Sequence, residues 1–339
     1  MRNYKQMSNM VGIGWGLNGM ATGRRRVAGQ ISGENVVIEV AWLYYQDGLN
    51  QKDIAERLGI SRATVVNYLQ EARESGLIRI SLASESFTTH RRALDLCTRF
   101  GLQAAYVVPD QGVGIEEGFA RVVQGAADWL PSLLAPDDQL GVAWGRTVYD
   151  LATALEQQQF PAMSVVQLVG SMSTPYGFTA EACSTRLAQK LGARCYNLHA
   201  PAILSRADLA QQLKAEPILS AQMDRLGQIT KSLFSVGTCL PDSHVVSSGV
   251  ATREELDWYV ANGAAGVICG RFIDAAGKPI AGPLDQRMIG AELSTLIGLQ
   301  AGILVTPGLD KVEATRACIA GGYTTHLVTS LTVAEALLA

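Results

Sequence analysis

Four short segments of this sequence place glycine beside hydroxyl or basic side chains, each directly after an apolar run. They are residues 144–147 (WGRT), 170–174 (GSMST), 237–243 and 307–311. Glycine allows a ligand to approach the backbone closely, and hydroxyls and the free N–H groups of a helix start donate hydrogen bonds. These segments therefore suit a phosphate or a polyhydroxylated ligand. Each segment alone is equally well explained as an ordinary strand-to-helix turn. Four equivalent segments together favour a ligand site.

Three charged side chains in these segments extend that chemistry. Arg146 and Lys311 would add positive charge for an anionic group, and Asp242 would accept hydrogen bonds from sugar hydroxyls. No spacing of the four histidines matches a metal site, and no nucleophile elbow, phosphate-loop or dinucleotide-binding motif is present. The sequence therefore predicts no metal, no cofactor and no catalytic residues. His199, at the end of an apolar run, is interpreted as a core residue.

The elements that must position these segments alternate between strands and helices over residues 93–339. This alternation predicts a doubly wound α/β domain with a mainly parallel sheet, which binds ligands at the carboxyl ends of its strands. The predicted strands are 104–108, 139–143, 165–169, 195–199, 233–236, 266–269, 303–306 and 326–328. The predicted helices are 116–129, 147–155, 179–191, 207–226, 253–262, 311–320 and 333–338.

Residues 33–83 predict a separate all-α helix-turn-helix domain. Ala55 suits a close helix crossing, Gly59 suits the turn that follows, and Ser61 suits the N-cap of the next helix. That helix would enter the major groove of DNA, and residues 77–82 would add a short strand or wing. A three-helix protein-interaction bundle is the alternative. The predicted base-reading residues are Ser61, Arg62, Thr64, Asn67 and Tyr68, and the predicted phosphate contacts are Lys52 and Arg73.

The composition agrees with two globular domains. The chain has 339 residues, of which 48% are hydrophobic and 17% charged, which excludes a largely disordered protein. Residues 1–92 carry 12 Lys and Arg against 8 Asp and Glu, whereas the remaining residues carry 16 against 23, so only the first part is expected to meet a polyanion. No segment is long and apolar enough to span a membrane, and the six scattered cysteines indicate reduced thiols, so we expect a cytoplasmic protein. Residues 1–32 are expected to form a flexible leader, and the polar residues 84–92 a linker.

Several segments in order resemble the SorC family of sugar-binding transcriptional regulators. They include the helix-turn-helix sequence, LGVAWGRTVYDLATAL, VVQLVGS, LFSVGT, CGRFIDAAGKPI and DKVEATRACIAGGYTTHLVTS. The resemblance covers about residues 35–339 and implies an effector domain related to sugar-phosphate isomerases, often in a homotetramer or dimer. It implies that a sugar, sugar phosphate or polyol binds there and alters binding to double-stranded operator DNA. The implied effector-binding residues are Gly145, Arg146, Thr147, Gly170, Ser171, Gly237, Thr238, Asp242, Ser243 and Lys311.

One position departs from the family pattern. Val267 stands where many members have an acidic residue before the GRF segment, which predicts an altered contact with the effector. Two functions remain open at this stage. The favoured one is a DNA-binding regulator of a carbohydrate or polyol catabolic operon, and it is not an enzyme. The alternative is a sugar-phosphate isomerase-like enzyme with a regulatory DNA-binding head, which measurable turnover of sugar phosphates would favour.

Overall fold

The computed structural model describes residues 33–339 except Arg79, Ser81, Leu82, Ser173, Pro175 and Tyr176, and it describes no side chain for residues 33 and 34. The leader predicted for residues 1–32 lies outside the described residues. The chain divides after Ile80 into two compact units. The division separates an all-α unit from an α/β unit, as the fold prediction requires.

The described part of the first unit contains three helices, α1 (Gly33–Tyr45), α2 (Gln51–Leu58) and α3 (Arg62–Glu74). The Asn50 side chain caps α2, and Gly59, with φ +68°, ends it in the left-handed conformation that glycine adopts without strain. The Ser61 side chain then accepts the Thr64 N–H and begins α3. The helices close over a small core of Val40, Leu43, Ile54, Ala55, Val65 and Leu69. This is the predicted helix-turn-helix arrangement.

The predicted strand or wing at residues 77–82 is not seen in the residues described there. Leu77, Ile78 and Ile80 lie outside any strand, and the rest of the segment is outside the described residues. The Ile78 N–H donates instead to the Ala72 carbonyl at 2.9 Å. The backbone after α3 is therefore paired with the end of that helix.

The second unit is built on a seven-stranded sheet in the order β1-β9-β8-β5-β2-β3-β4, and every neighbouring pair is parallel. Alternate residues of β1 enter different cores, since Ala105 and Val107 pack on one face and Tyr106 and Val108 on the other. Both faces are thus covered, and the doubly wound prediction is confirmed. The sheet strands are β1 (Ala104–Val108), β2 (Gln139–Val142), β3 (Ser164–Gln167), β4 (Arg194–Tyr196), β5 (Lys231–Phe234), β8 (Ala301–Thr306) and β9 (His326–Ser330).

Helices pack on both faces of this sheet. Side chains of α5, α13 and α14 enter one core, and those of α6, α7 and α8 enter the other. The helices are α4 (Glu85–Thr88), α5 (Arg91–Phe100), α6 (Ile115–Trp129), α7 (Arg146–Ala154), α8 (Ala180–Leu191), α9 (Ala207–Ala215), α10 (Pro217–Leu226), α11 (His244–Ser247), α12 (Arg253–Ala261), α13 (Val312–Ala320) and α14 (Leu331–Leu338).

The predicted strand 266–269 belongs to a separate antiparallel hairpin and not to the main sheet. It forms β6 (Ala264–Ile268), which pairs with β7 (Arg271–Asp274). The intervening Cys269 and Gly270 have φ +52° and +80°, as a tight two-residue hairpin turn requires. β7 was not predicted from the sequence, because Gly270 is the only residue of this turn that signals a chain reversal.

Two further segments differ from the sequence predictions. The helix predicted over 207–226 is two helices, because Pro217 lacks an N–H and holds the preceding Glu216 in an extended conformation. The linker predicted at residues 84–92 contains α4 and the start of α5 within the second unit. Phe87 stacks on Tyr106 with ring centroids 4.9 Å apart, so this largely polar segment is held to the sheet by its one aromatic side chain.

Candidate functional site

A cavity of about 430 Å³ opens at the carboxyl ends of β2, β5 and β8. Small-ligand sites usually measure roughly 300–1,000 Å³. β2 and β5 are neighbours, but the chain continues from β2 toward β3 on one side and from β5 toward β8 on the other. Such a switch point is where open parallel sheets bind ligands. The cavity therefore lies where the sheet topology places a binding site.

Two helices begin at this cavity without a side-chain cap. Gly145 turns the chain from β2 into α7 with φ +122°, and no side chain bonds the first N–H groups of α7. Lys311 occupies the N-cap of α13, again with no side-chain cap, but α13 continues a 3-10 turn over Leu309–Lys311 and its Val312 N–H bonds the Leu309 carbonyl. The positive end of a helix dipole and its free N–H groups favour an anion. The start of α7 thus provides free donors at the cavity, and α13 contributes the Lys311 side chain.

Lys311 supplies the charge at this site. Its Nζ donates to the Ser235 hydroxyl at 3.3 Å, and it forms no ion pair with any residue that the structure describes. Burial lowers the pKa of Lys311, and the nearby Asp310 carboxylate opposes that shift. A half-buried ammonium without an acidic partner favours an anionic ligand, because a bound anion would restore the interactions lost from water.

Arg146 is held by neighbouring side chains at the cavity wall. Its guanidinium bonds Glu116 at 2.5 Å, lies 3.5 Å from Asp150, and sits 4.2 Å from the ring centroid of Phe119. The hydrogen bond to Glu116 raises the pKa of Arg146, so the side chain stays charged. Its charge is largely balanced by these carboxylates, in contrast to that of Lys311.

The loop after β5 is fixed to the β6–β7 hairpin. The Gly237 N–H donates to the Val267 carbonyl at 2.8 Å, and the Val267 N–H donates back to Gly237 at 3.0 Å. Val267 is 6% exposed and lines the cavity. Val267 therefore makes this part of the wall apolar.

Further along the same loop, four polar residues line the cavity. Thr238, Asp242, Ser243 and His244 all contribute to its wall. Ser243 is 5% exposed, and its hydroxyl has no hydrogen-bond partner among the described residues. Burial lowers the pKa of His244, and the positive charges of Lys311 and Arg146 lower it further. The loop thus adds hydroxyl, carboxylate and imidazole groups to a region that is already cationic.

The predicted DNA-binding residues lie on α3 and its flanks in the first unit. Lys52, Ser61, Arg62, Asn67 and Arg73 are exposed, whereas Thr64 and Tyr68 are half-buried. The Arg62 Nε donates to Gln51 at 3.2 Å, a neutral contact that leaves the charge available for DNA. Tyr68 packs against the small core, which gives it a structural role.

Comparisons with known proteins agree with both units. Residues 84–339 match the family described as "Putative sugar-binding domain", and residues 36–80 match the "Homeodomain-like domain" family. The uncharacterized transcriptional regulator YjhU of Escherichia coli (strain K12) is 37% identical over 311 residues, covering 90% of this chain and 95% of that protein. The deoxyribonucleoside regulator of Bacillus subtilis (strain 168) is 30% identical, covering 90% of this chain and 97% of that protein. The sorbitol operon regulator SorC from Klebsiella pneumoniae matches with a TM-score of 0.76 and 25% identity, covering 91% of this chain and 100% of that chain. This chain belongs to the SorC family.

The family assignment confirms the resemblance found in the sequence. A SorC-family regulator joins a DNA-binding helix-turn-helix to a sugar-binding effector domain, and both parts are present in this chain. The protein is therefore a DNA-binding transcriptional regulator that responds to a carbohydrate-type effector. The three relatives named above are all regulators.

The structure brings together eight of the ten predicted effector residues of this SorC-family chain. The cavity is lined by Gly145, Arg146, Thr147, Gly237, Thr238, Asp242, Ser243 and Lys311. Gly170 and Ser171 do not line it, although the resemblance implied that they would. The Ser171 N–H bonds the Ala200 carbonyl at 2.6 Å, and a Cβ on Gly170 would lie 2.7 Å from that oxygen. Gly170 and Ser171 therefore pack against the loop after β4. A side chain at position 170 would collide with that loop, so glycine is required there.

Other residues that line the cavity of this SorC-family domain were not predicted from the sequence. Glu116 and Phe119 come from the first turns of α6, and Trp144, Cys269 and Asp310 also line the wall. The signal for the first two was available, since α6 follows β1 and therefore begins at the same edge of the sheet. His244, two residues after Asp242, also lines the cavity.

Membrane-spanning helices and metal-binding clusters are both absent from the described residues of this SorC-family chain. Within these residues, no helix is long and apolar enough to cross a membrane. They contain no cluster of three or more His, Cys, Asp or Glu side chains able to hold a metal ion. All six cysteines are free thiols, and burial raises the pKa of Cys183 to about 12 and that of Cys239 to about 11.

Proposed function

We propose that this SorC-family chain binds operator DNA through α3 and that a phosphorylated sugar in the cavity changes its affinity for that DNA. The observation that carries the proposal is the Lys311 ammonium, which forms no ion pair within the described residues and lines the same cavity as the uncapped start of α7. An anion fits this position better than a neutral polyol, because it would neutralise a buried charge. Among anions, a phosphate can accept bonds from several N–H groups at once.

The remaining cavity residues suit the sugar part of such an effector. The Thr147, Thr238 and Ser243 hydroxyls are able to donate and accept hydrogen bonds, and the Asp242 carboxylate accepts them. Ser243 supports this assignment most directly, because its buried hydroxyl is unpaired in the described part of the chain. A buried unpaired hydroxyl has a free-energy cost that a ligand hydroxyl would remove.

The DNA contacts proposed for the first unit follow from exposure and chemistry. Arg62 and Asn67 are exposed on α3 and offer the bidentate donors and acceptors that read guanine and adenine. Ser61 and Thr64 lie at the start of the same helix, and Lys52 and Arg73 contact phosphates in this proposal. We place the protein in the cytoplasm, acting as a dimer or tetramer whose paired heads bind half-sites about one DNA turn apart.

The test uses the full-length protein and an operator selected from a random duplex library. Thermal shift and calorimetry compare D-ribose 5-phosphate, D-glucose 6-phosphate and D-fructose 6-phosphate with the unphosphorylated sugars and with sorbitol. We expect a phosphorylated compound to bind more tightly than its parent sugar and to change operator affinity in fluorescence anisotropy. Equal binding of phosphorylated and free sugars, or unchanged operator affinity when the ligand is bound, would contradict the proposal. Turnover of any bound compound would instead favour an enzyme.

A further inference from the structure

The cavity wall has two chemically different parts. The first part is formed by the uncapped start of α7 and the Lys311 ammonium, both of which favour an anion. The second part, the hairpin side, is formed by the β6–β7 hairpin and the end of β5, where Val236, Val267 and Cys269 are 1%, 6% and 6% exposed. The two parts adjoin, because Lys311 donates to Ser235, the residue before Val236. A ligand whose anionic group lies beside Lys311 therefore has the hairpin side within its reach.

The hairpin side offers a ligand hydroxyl no hydrogen-bond partner from Val267. Its backbone N–H and carbonyl are both bonded to Gly237, and its side chain is hydrocarbon. Burial raises the pKa of the adjacent Cys269 to about 12, so this thiol is neutral and only a weak donor. A sugar hydroxyl turned toward this wall would lose its water without gaining a partner.

Among the described residues that line the cavity, the carboxylates able to accept hydrogen bonds from sugar hydroxyls are all exposed. The Glu116 side chain is 73% exposed and is bonded to Arg146. Asp242 and Asp310 are also exposed. The floor next to Val267 therefore lacks the strong acceptors that would select a fully hydroxylated sugar.

We propose that Val267 determines specificity and that the effector is a deoxy sugar phosphate whose C–H face lies against Val267. This inference rests on the proposed function, since it assumes that the phosphate is bound near Lys311. Val267 would favour a deoxy sugar over its hydroxylated parent for two reasons. A ligand hydroxyl buried against Val267 without a hydrogen-bond partner lowers affinity. A ligand C–H group in the same place gains apolar contact. The expected preference for the deoxy compound over its hydroxylated parent is roughly 5- to 150-fold.

The experiment measures affinities of the full-length protein by calorimetry for matched pairs. The pairs are 2-deoxy-D-ribose 5-phosphate with D-ribose 5-phosphate, and 2-deoxy- and 3-deoxy-D-glucose 6-phosphate with D-glucose 6-phosphate. We expect at least one deoxy compound to bind more tightly than its parent, and Val267→Thr to reduce that preference by at least about fivefold, because threonine supplies a hydroxyl partner. Val260→Thr is the matched control, since Val260 is 46% exposed on α12 and lies outside the cavity.

The outcomes separate this inference from the function on which it rests. If every parent binds at least as tightly as its deoxy partner, Val267 does not select and the inference is wrong, while the proposed function stands. If no phosphorylated sugar binds, both are wrong. If Val267→Thr fails to fold, as circular dichroism and thermal unfolding will show, the wild-type pairs and Val267→Ala decide. Val267→Ala keeps an apolar side chain, so it must retain the deoxy preference.

Discussion

Replacing Lys311 by methionine tests the role of its charge while keeping most of the volume of the side chain. A charge-assisted hydrogen bond to a ligand contributes about 1.5–3 kcal/mol, so we expect Lys311→Met to weaken binding of a phosphorylated sugar by roughly 10- to 150-fold. In the unliganded protein the substitution removes one hydrogen bond to the Ser235 hydroxyl, 3.3 Å long, and also removes a buried charge. These two changes oppose each other, so stability should change by less than about 1.5 kcal/mol in either direction.

The pH dependence of stability gives a second readout. Burial lowers the pKa of Lys311 in the folded state below its unfolded value, so the charged form destabilises the folded protein. This penalty is full below the folded pKa and is relieved as the pH rises through that pKa toward the unfolded value. The stability of the wild type relative to Lys311→Met should therefore increase as the pH is raised above neutrality. Thermal unfolding of both proteins across this range measures the difference.

The control is Lys278→Met, which neutralises an exposed lysine after β7 that does not line the cavity. It should bind the phosphorylated sugar as the wild type does and should show the same pH dependence. Binding by Lys311→Met within twofold of the wild type would refute the assignment of an anion to this ammonium. Loss of several kcal/mol of stability in Lys311→Met would show that its role is structural.

Three further predictions concern other parts of the molecule. Arg62→Ala should cost about 1–3 kcal/mol at the selected operator and relax base preference at one position, measured by anisotropy with single-base variants; an unchanged preference would remove Arg62 from the base-reading residues. Lys231→Ala should destabilise the protein by about 3–5 kcal/mol in chemical denaturation, because the Asp138 carboxylate, 2.6 Å from Lys231 and 3% exposed, loses its ion-pair partner and keeps only its bonds from the Ala135 N–H and the Thr230 hydroxyl. Binding of a phosphorylated sugar should strengthen as the pH falls through the lowered pKa of His244, since protonation adds positive charge beside the cavity, and His244→Gln should remove that part of the pH profile. An identical profile in His244→Gln would assign the effect to the phosphate itself.

The sequence allowed the location of the site to be predicted because parallel topology aligns the ends of all strands. Once β2, β5 and β8 are parallel neighbours, the residues that follow them meet at one edge, and Gly145, Gly237 and Lys311 do so. The same reasoning failed for Gly170. Its strand is also in the sheet, but the following backbone pairs with the loop after β4 and turns away from the cavity. Strand order and loop pairing are long-range properties that residue types in one segment do not specify.

Two other differences have local physical causes. The β6–β7 hairpin depends on Cys269 adopting a positive φ. Cysteine rarely adopts this conformation, so its presence in the sequence does not predict a turn. The packing of α4 on the sheet depends on the stacking of Phe87 against Tyr106. These two residues are too far apart in the sequence for a local residue pattern to predict their contact. In contrast, the break at Pro217 was visible in the sequence, because a proline has no N–H to continue a helix and holds the residue before it in an extended conformation.

The attachment of the β6–β7 hairpin has a consequence for how the cavity receives a ligand. The hairpin adds no strand to the seven-stranded sheet and is joined to the loop after β5 by the paired backbone of Gly237 and Val267. Gly266 fits closely against Ala314 of α13, where a Cβ would approach to 2.9 Å, and the Ile268, Phe272 and Ile273 side chains are buried in the core. The part of the wall that carries Val267 is therefore built as firmly as the interior of the domain. A ligand has to match its shape as it stands, because moving this ribbon would expose core side chains to water.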